Sequence, residues 1–149
     1  MKKLICLLLC VSACAALLAG CGSAPEKQDG QYRAEYAQFD EYGWKDYVTV
    51  TVEENKVTAV EFDAVNELGE KKSENASYRE SMEAITKTYP EKFCAEYGEQ
   101  YIEKQEAKDL DAIAGATKSH DSLVTLLSAL QKPMEEGNTD PVTVTAEEK

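Results

Sequence analysis

The sequence predicts one α+β domain in which a small antiparallel sheet packs with helices. Apolar residues alternate with a period of two as far as residue 64, which is typical of half-buried strands. After Gly69 they recur at spacings of three and four, as on one face of a helix. Strands followed by helices indicate an α+β domain, and 149 residues leave room for one such domain with a modest core.

The first twenty residues have the pattern of a secretory signal peptide. Lys2 and Lys3 precede an apolar run at residues 4–18, shorter than the ~20 apolar residues that a membrane-spanning helix needs. The order Leu-Ala-Gly-Cys21 resembles a bacterial lipobox, which implies cleavage before Cys21 and acylation of its thiol. The alternative is an ordinary signal peptide followed by a chance cysteine. Because two acyl chains hold a protein stably, we expect a lipid anchor on the extracytoplasmic side of the cell membrane.

Charge and cysteine content exclude several classes of function. The chain has 16 Lys and Arg against 28 Asp and Glu, a net charge of −12 that becomes −14 when residues 1–20 are removed. Such a surface repels phosphate backbones, so we expect no nucleic-acid partner. With the signal peptide gone and Cys21 acylated, Cys94 is the one remaining thiol, which excludes an internal disulfide and a cysteine-based zinc site. We expect Cys94 to be a small core residue.

Three strands are predicted after a short tether. Residues 21–29 are small and polar, a composition suited to linking a lipid to a domain, and the folded domain is predicted over residues 30–134. Asn55 tolerates left-handed geometry, so the loop at residues 53–56 is predicted to join the second and third strands as a hairpin. The residues predicted to share one face are Tyr32, Ala34 and Tyr36, then Val48, Val50 and Val52, then Val60, Phe62 and Ala64.

Three helices are predicted after the strands. The first begins near Asn75, a candidate N-cap, with Ser77 and Glu80 as a candidate capping box. Pro90 ends this helix and opens the second, and Pro133 is predicted to stop the third. The predicted apolar faces are Tyr78, Met82, Ile85 and Tyr89; Phe93, Tyr97 and Tyr101; and Leu123, Leu126, Leu127 and Leu130.

Residues 135–149 are acidic and are predicted to form a mobile tail. The alternative is that Val142 and Val144 add an edge strand to the sheet.

The segment at residues 111–119, Asp-Ala-Ile-Ala-Gly-Ala-Thr-Lys-Ser, joins the second helix to the third. Gly115 and Ala116 are small enough to let a ligand approach the backbone, and Thr117 and Ser119 lie where the leucine-striped helix begins. A helix N-terminus presents free N–H groups and the positive end of the helix dipole, which stabilise a phosphate. The alternative is that Thr117 or Ser119 simply caps the helix.

Residues 111–117 resemble the flavinylation motif of FMN-binding domains, Asp-x-x-(Ser/Thr/Ala)-Gly-Ala-Thr, found in extracytoplasmic flavin lipoproteins. Similar domains occur in the FMN-carrying subunits of the sodium-pumping NADH:quinone reductase and the Rnf complex. The resemblance continues upstream through Tyr-Gly-Trp-Lys-Asp-Tyr at 42–47, Lys-Lys-Ser at 71–73 and Ile-Glu-Lys-Gln at 102–105.

This resemblance implies FMN as cofactor and a separate magnesium-dependent flavin transferase as partner. It also implies that the oxygen of Thr117 is joined to the FMN phosphate. Asp111, Gly115 and Ala116 complete the motif, with Ala114 where many members carry Ser or Thr. With Ser119 at the helix start, these residues form the predicted cofactor site.

The predicted function is that of a membrane-anchored flavoprotein that transfers electrons between membrane redox partners and external acceptors. Covalent attachment suits such a carrier, because a dissociated flavin would be lost outside the cytoplasm. Two alternatives stay open: a flavin-dependent reductase with its own small-molecule substrate, and a non-redox binding or signalling lipoprotein without flavin.

Aromatic residues offer candidate platforms for the flat flavin ring. They are Tyr42, Trp44 and Tyr47, each of which is also suited to core or surface packing. His120 lacks an evident catalytic partner and is expected at the surface, so no catalytic residue is predicted. The spacing of the nearby aspartates matches no EF-hand loop, and no metal site is predicted.

Overall fold

The computed structural model describes residues 25–145 and contains four strands and three helices within that range. The predicted signal peptide and the predicted lipid attachment site at Cys21 lie outside the described residues. None of the described helices is long and apolar enough to cross a membrane. The strands are β1 (Gly30–Tyr36), β2 (Lys45–Glu53), β3 (Lys56–Val65) and β4 (Val142–Val144), and the helices are α1 (Ala76–Thr86), α2 (Pro90–Lys104) and α3 (Thr117–Glu136).

The α+β fold class is confirmed, with one addition to the sheet. The strand order is β3-β2-β1-β4, and the first three strands pair antiparallel as predicted. Glu54 and Asn55, at φ 51° and 64°, form the tight turn between β2 and β3. β4 pairs parallel with β1, with Ala34 opposite Val142, so the sheet is mixed. This pairing is possible because α3 lies between β3 and β4 in the chain, and parallel strands need such a crossover connection.

Part of the segment predicted as a mobile tail forms regular structure. The last residues of α3 reach Glu136, and β4 forms the edge of the sheet beside β1. Of the two expectations for this segment, the structure contains the edge strand at residues 142–144.

The core lies between the sheet and the helices α2 and α3. Alternate residues of β1 and β2 face these helices and are almost fully buried, as the pattern of period two predicts. The predicted faces of α2 and α3 are confirmed, since all seven of their residues are at most 3% exposed: Phe93, Tyr97, Tyr101, Leu123, Leu126, Leu127 and Leu130. Cys94 is partly buried against this core, and burial raises the pKa of its thiol.

Helix α1 differs from the prediction because none of its residues is buried. Tyr78 and Met82 are half-buried, but Ile85 is 82% exposed and Tyr89 lies beyond the end of the helix. The next half-buried residue after Met82 is Thr86, four residues later, and not Ile85. The N-cap prediction is confirmed at Asn75, whose side chain accepts a hydrogen bond from the Tyr78 amide.

Pro133 does not stop α3, contrary to the prediction. The helix runs through it to Glu136 and ends at Gly137, which has φ 70°. Pro133 removes one hydrogen bond near the helix end, but Met134, only 1% exposed, continues the buried leucine face and holds the last turn against the core.

Candidate functional site

The segment of small residues forms the loop that leads into α3. It follows the 3-10 turn Ala107–Asp109 and ends where α3 begins at Thr117. Gly115 has φ +85°, and a Cβ built on it would lie 2.6 Å from Cβ of Thr86. Glycine is therefore required here both by the backbone conformation and by close contact with the end of α1.

The start of α3 has no capping side chain. Ala116 occupies the N-cap position and Thr117 is the first helical residue, so neither Thr117 nor Ser119 caps the helix. The interpretation of these residues as caps is therefore wrong. The first hydrogen bond of the helix is donated by the His120 amide to the Ala116 carbonyl at 3.0 Å. The three amides before it therefore have no partner within the helix. Thr117 is exposed, so its hydroxyl is accessible beside these amides.

Three side chains of α2 hold the loop from one side. The buried Tyr97 hydroxyl accepts a hydrogen bond from the Ile113 amide and donates one to the Ala116 carbonyl, both at 3.1 Å. The Gln100 side chain accepts from the Asp111 amide at 2.8 Å and donates to the Asp111 carbonyl at 3.3 Å. These bonds satisfy backbone groups that have no place in a helix or sheet.

Lys104 adds a third contact at the first residue of the motif. Its ammonium donates to the Asp109 carbonyl at 2.7 Å and to the Asp111 carboxylate at 2.6 Å. The Lys104 hydrogen bond and charge lower the pKa of Asp111, although the side chain of Asp111 is 85% exposed. An exposed pair of this kind contributes little stability, so its effect is on orientation.

His120, in the first turn of α3, is half-buried against the loop and not on the surface as predicted. Its side chain is 20% exposed, and its ring centroid is 6.0 Å from that of Tyr97. Nε2 lies 3.1 Å from the Leu110 carbonyl. Nδ1 lies 3.2 Å from the Asp121 carboxylate. The imidazole therefore joins the first turn of α3 to the beginning of the loop.

Of the three candidate aromatic platforms, Tyr42 alone is exposed beside the start of α3. Its side chain is 66% exposed, whereas Trp44 and Tyr47 are 8% and 4% exposed. The Asp40 carboxylate accepts from the Tyr42 and Trp44 amides at 2.9 Å and fixes this turn. The ammonium of Lys118, the residue after Thr117, lies 5.4 Å from the centre of the Tyr42 ring.

Comparison with known proteins identifies the family. The profile of the FMN-binding domain family matches residues 42–131, which include the aromatic turn, the loop and most of α3. This chain belongs to the FMN-binding domain family. FMN is its cofactor.

Relatives of known sequence or structure extend this result. The 15 kDa lipoprotein of Treponema pallidum is 35% identical over 129 residues, 87% of this chain and 92% of that protein. A crystal structure of a Clostridium perfringens protein is 31% identical and superposes with a TM-score of 0.78, covering 81% of this chain and 99% of the other. A solution structure from Clostridium thermocellum is 29% identical, with a TM-score of 0.46 over 70% of this chain and 91% of the other.

The residues around the loop of this FMN-binding domain fit a polar cofactor. One buried side-chain oxygen near the loop, Thr88 Oγ1, lacks a hydrogen-bond partner among the described residues. Thr88 packs against Gly115. An unsatisfied buried hydroxyl costs about 1–3 kcal/mol, so a bound group that pairs with this oxygen would stabilise the domain.

The six residues predicted to hold FMN lie together in the loop and the first turn of α3. They comprise the exposed Asp111, Ala114, Gly115 and Thr117, the half-buried Ser119 and the buried Ala116. No role in the site was predicted for Gln100 or Lys104, although both lie at helical spacing from Tyr97 on α2 and Lys104 lies in the 102–105 stretch of the resemblance. A surface recess of the described residues lies elsewhere, around Asn75 and Arg79.

Proposed function

We propose that this protein is a membrane-anchored, extracytoplasmic flavoprotein that carries FMN covalently on Thr117. In this role it passes electrons between redox partners in the membrane and external acceptors. The observation that supports attachment most directly is the exposed hydroxyl of Thr117, which lies in a family motif at the first position of an uncapped helix.

The attachment step is a phosphoryl-type transfer to the Thr117 hydroxyl. The oxygen of Thr117 forms a new ester bond to the phosphorus of the FMN phosphate, and the hydroxyl proton passes to a base of the transferase. The donor is a flavin dinucleotide, whose phosphoanhydride bond breaks and releases the second nucleotide as a monophosphate. Positioning of the acceptor hydroxyl is the contribution of this chain.

The start of α3 is suited to hold the phosphate of the attached group. The free amides of Thr117, Lys118 and Ser119 point out of the helix end, and the helix dipole places positive charge there. No acidic residue lies in the first turn, although the chain is strongly acidic elsewhere. The Lys118 ammonium adds a positive charge next to the acceptor residue and lies 3.5 Å from the Glu41 carboxylate and 5.4 Å from the centre of the Tyr42 ring.

Electron transfer follows from the cofactor. When bound, FMN supplies one-electron and two-electron redox chemistry, and the protein supplies its binding, orientation and electrostatic surroundings. The partly buried Cys94 is not suited to redox chemistry, since burial raises the pKa of its thiol and disfavours the thiolate.

The lipobox-like sequence at Cys21 and the similarity to a protein named as a lipoprotein support a lipid anchor. An anchor at Cys21 would keep the domain at the outer surface of the membrane on a tether of a few residues. The electron donor there would be a membrane redox partner.

Intact mass and in-gel fluorescence of the denatured mature domain test the attachment. The domain is produced together with a magnesium-dependent flavin transferase that modifies another FMN-binding domain. We expect a mass gain of one FMN group, fluorescence that survives denaturation, and a flavin-bearing peptide that contains Thr117.

Thr117→Val should abolish the mass gain. Thr125→Val is the matched control, since Thr125 is an exposed threonine of the same helix whose hydroxyl donates to the Asp121 carbonyl. The attachment proposal fails if the wild type stays unmodified while the other domain is flavinylated, or if Thr117→Val retains covalent flavin. Electron exchange of the flavinylated protein with acceptors of different structure then tests the carrier role, since a dedicated reductase would show saturable turnover with one acceptor.

A further inference from the structure

Helix α2 contacts the loop that leads to Thr117 through one face, of which Tyr97 was predicted as a core residue. Tyr97, Gln100 and Lys104 follow one another at spacings of three and four and share this face. Together they make six hydrogen bonds to residues 109–116. We infer that these three residues are positioning residues for flavin attachment, which hold the loop in its reactive form before the transferase binds. This inference rests on the proposed function.

The loop has few bonds of its own. Within residues 111–116 the described backbone hydrogen bonds comprise one turn, from the Ala116 amide to the Ile113 carbonyl at 2.9 Å. The described side-chain hydrogen bonds to these residues come from α2: Tyr97 bridges both ends of that turn, and Gln100 pairs with both backbone groups of Asp111. A loop built of small residues loses much conformational entropy on ordering, so these bonds from α2 favour the preformed loop.

The bridge made by Tyr97 has a direct connection to the acceptor residue. The Ala116 carbonyl accepts hydrogen bonds from the Tyr97 hydroxyl and from the His120 amide, which is the first bond of α3. Tyr97 therefore fixes the peptide that precedes Thr117. Burial raises the pKa of the Tyr97 hydroxyl, so this group stays protonated and remains a donor.

A preformed loop changes the kinetics of attachment in a specific way. If only a fraction of the molecules has the loop in the reactive form, the apparent KM for the domain rises by the inverse of that fraction. The rate at saturation is unaffected, because the bound loop is then ordered. Loss of the contacts from α2 should therefore raise KM and leave kcat unchanged.

Tyr97→Phe and Tyr101→Phe form a matched pair that tests this. Both tyrosines are buried on α2, with Tyr97 0% and Tyr101 2% exposed. The described hydrogen bonds from a tyrosine hydroxyl of α2 to the loop are made by Tyr97. Initial rates of flavin incorporation are measured against domain concentration, with the transferase, a flavin dinucleotide and magnesium. We expect a rise in KM of roughly tenfold or more for Tyr97→Phe, because it removes both hydrogen bonds of the hydroxyl to the loop, and none for Tyr101→Phe.

Two further measurements keep the inference separate from a general loss of stability. Amide exchange of the unmodified domain should become faster at Ile113 in Tyr97→Phe, while the amides of the sheet stay protected. Gln100→Met and Lys104→Met change half-buried residues that lie outside the hydrophobic core, so these variants should fold normally and still raise KM.

The outcomes distinguish this inference from the proposed function. If the wild type takes up no flavin, both fail. Suppose that the wild type is flavinylated and that the Ile113 amide exchanges faster in Tyr97→Phe. If the KM of Tyr97→Phe then equals that of Tyr101→Phe, only the positioning role is overturned. A fall in kcat with unchanged KM would also overturn it, since the loop would then act in the reaction step itself.

Discussion

The N-terminal ends of the three helices are built differently. Asn75 caps α1 by accepting a hydrogen bond from the Tyr78 amide at 2.9 Å, and α2 begins with Pro90 followed by the acidic Glu91. The longest helix, α3, has neither device: its cap is Ala116, no acid lies in its first turn, and Lys118 adds a positive charge. Where the sequence departs from the usual rules of helix capping, the departure coincides with the family motif.

The uncapped start of α3 lowers the stability of the domain, and burial of the helix in the core offsets this loss. A missing N-cap costs about 0.5–2 kcal/mol, and an unfavourable charge at a helix end costs about 0.3–1 kcal/mol. Four leucines of α3 are fully buried, and each contributes roughly 1.5–3 kcal/mol by burial. The stability of α3 therefore comes from its side facing the sheet, which leaves its first turn available for an anion.

The largest expected loss of stability comes from removing a buried leucine of α3. Leu126→Ala should lower the free energy of unfolding by about 2–5 kcal/mol, because it deletes a fully buried side chain and leaves a cavity. Urea denaturation of the unmodified domain measures this. Ser128→Ala, at an exposed position on the same helix, is the control and should change stability by less than about 0.5 kcal/mol. A small effect at Leu126 would mean that α3 does not depend on the core.

Alanine substitutions at Gly115 and Gly43 distinguish the loss of stability caused by backbone strain from the loss caused by steric contact at the loop. Both have positive φ, +85° and +80°, but a Cβ on Gly43 would meet nothing within 4 Å. Gly43→Ala should cost about 1 kcal/mol from backbone strain alone, whereas Gly115→Ala should cost about 1–3 kcal/mol more, because it forces the loop away from Thr86. Thermal unfolding of both variants checks the order. Equal losses would show that the contact between the loop and α1 is not tight.

The comparison of helix ends is tested directly by alanine substitutions. Asn75→Ala should cost about 1 kcal/mol, because it leaves the Tyr78 amide of α1 without its partner. Thr117→Ala and Ser119→Ala should each change the stability of the unmodified domain by less than about 0.5 kcal/mol, since neither residue caps α3. If Thr117→Ala destabilised the domain as much as Asn75→Ala, Thr117 would be a cap and the comparison would not hold.

Local patterns predicted most of the fold, because the buried residues recur at the spacing of their element. The stripe from Leu123 to Leu130 identifies α3, and alternating valines identify β2. The exposed Ile85 was predicted wrongly because the same spacing of three and four also fits Thr86, and only tertiary packing distinguishes them. The parallel pairing of β4 depends on where α3 returns the chain, a long-range property that no local pattern contains.

In the candidate site, too, the local sequence motif could be predicted and the long-range contacts could not. The motif at residues 111–117 was evident from the sequence, and the structure adds the side chains that hold it. Gln100 and Lys104 are ordinary polar residues of a helix surface until the loop is folded against them. His120 was expected at the surface, yet its contact with the Leu110 carbonyl depends on how the loop returns to α3. Contacts between polar side chains and irregular backbone have no periodicity from which they could be predicted.

The smallest expected effect concerns the charge that orients the start of the motif. The hydrogen bond and charge of Lys104 lower the pKa of Asp111 in the folded domain. A carboxyl with a lowered folded pKa contributes stability above its unfolded pKa, about 3.9, and this contribution disappears as the pH falls through the folded value. Because the Asp111 side chain is 85% exposed, solvent screening keeps the contribution to stability small, and the pKa itself is the sensitive quantity.

Lys104→Met should return the pKa of Asp111 towards its ordinary value, measured by carboxyl chemical shifts in an NMR titration. Lys132→Met is a suitable control, since Lys132 pairs with Glu136 at the far end of α3 and should leave Asp111 unchanged. An unaltered titration in Lys104→Met would show that the ammonium does not hold this carboxylate in solution. In that event Tyr97 and Gln100 would orient the loop without help from charge, and the KM of Lys104→Met for flavin attachment would equal that of the wild type.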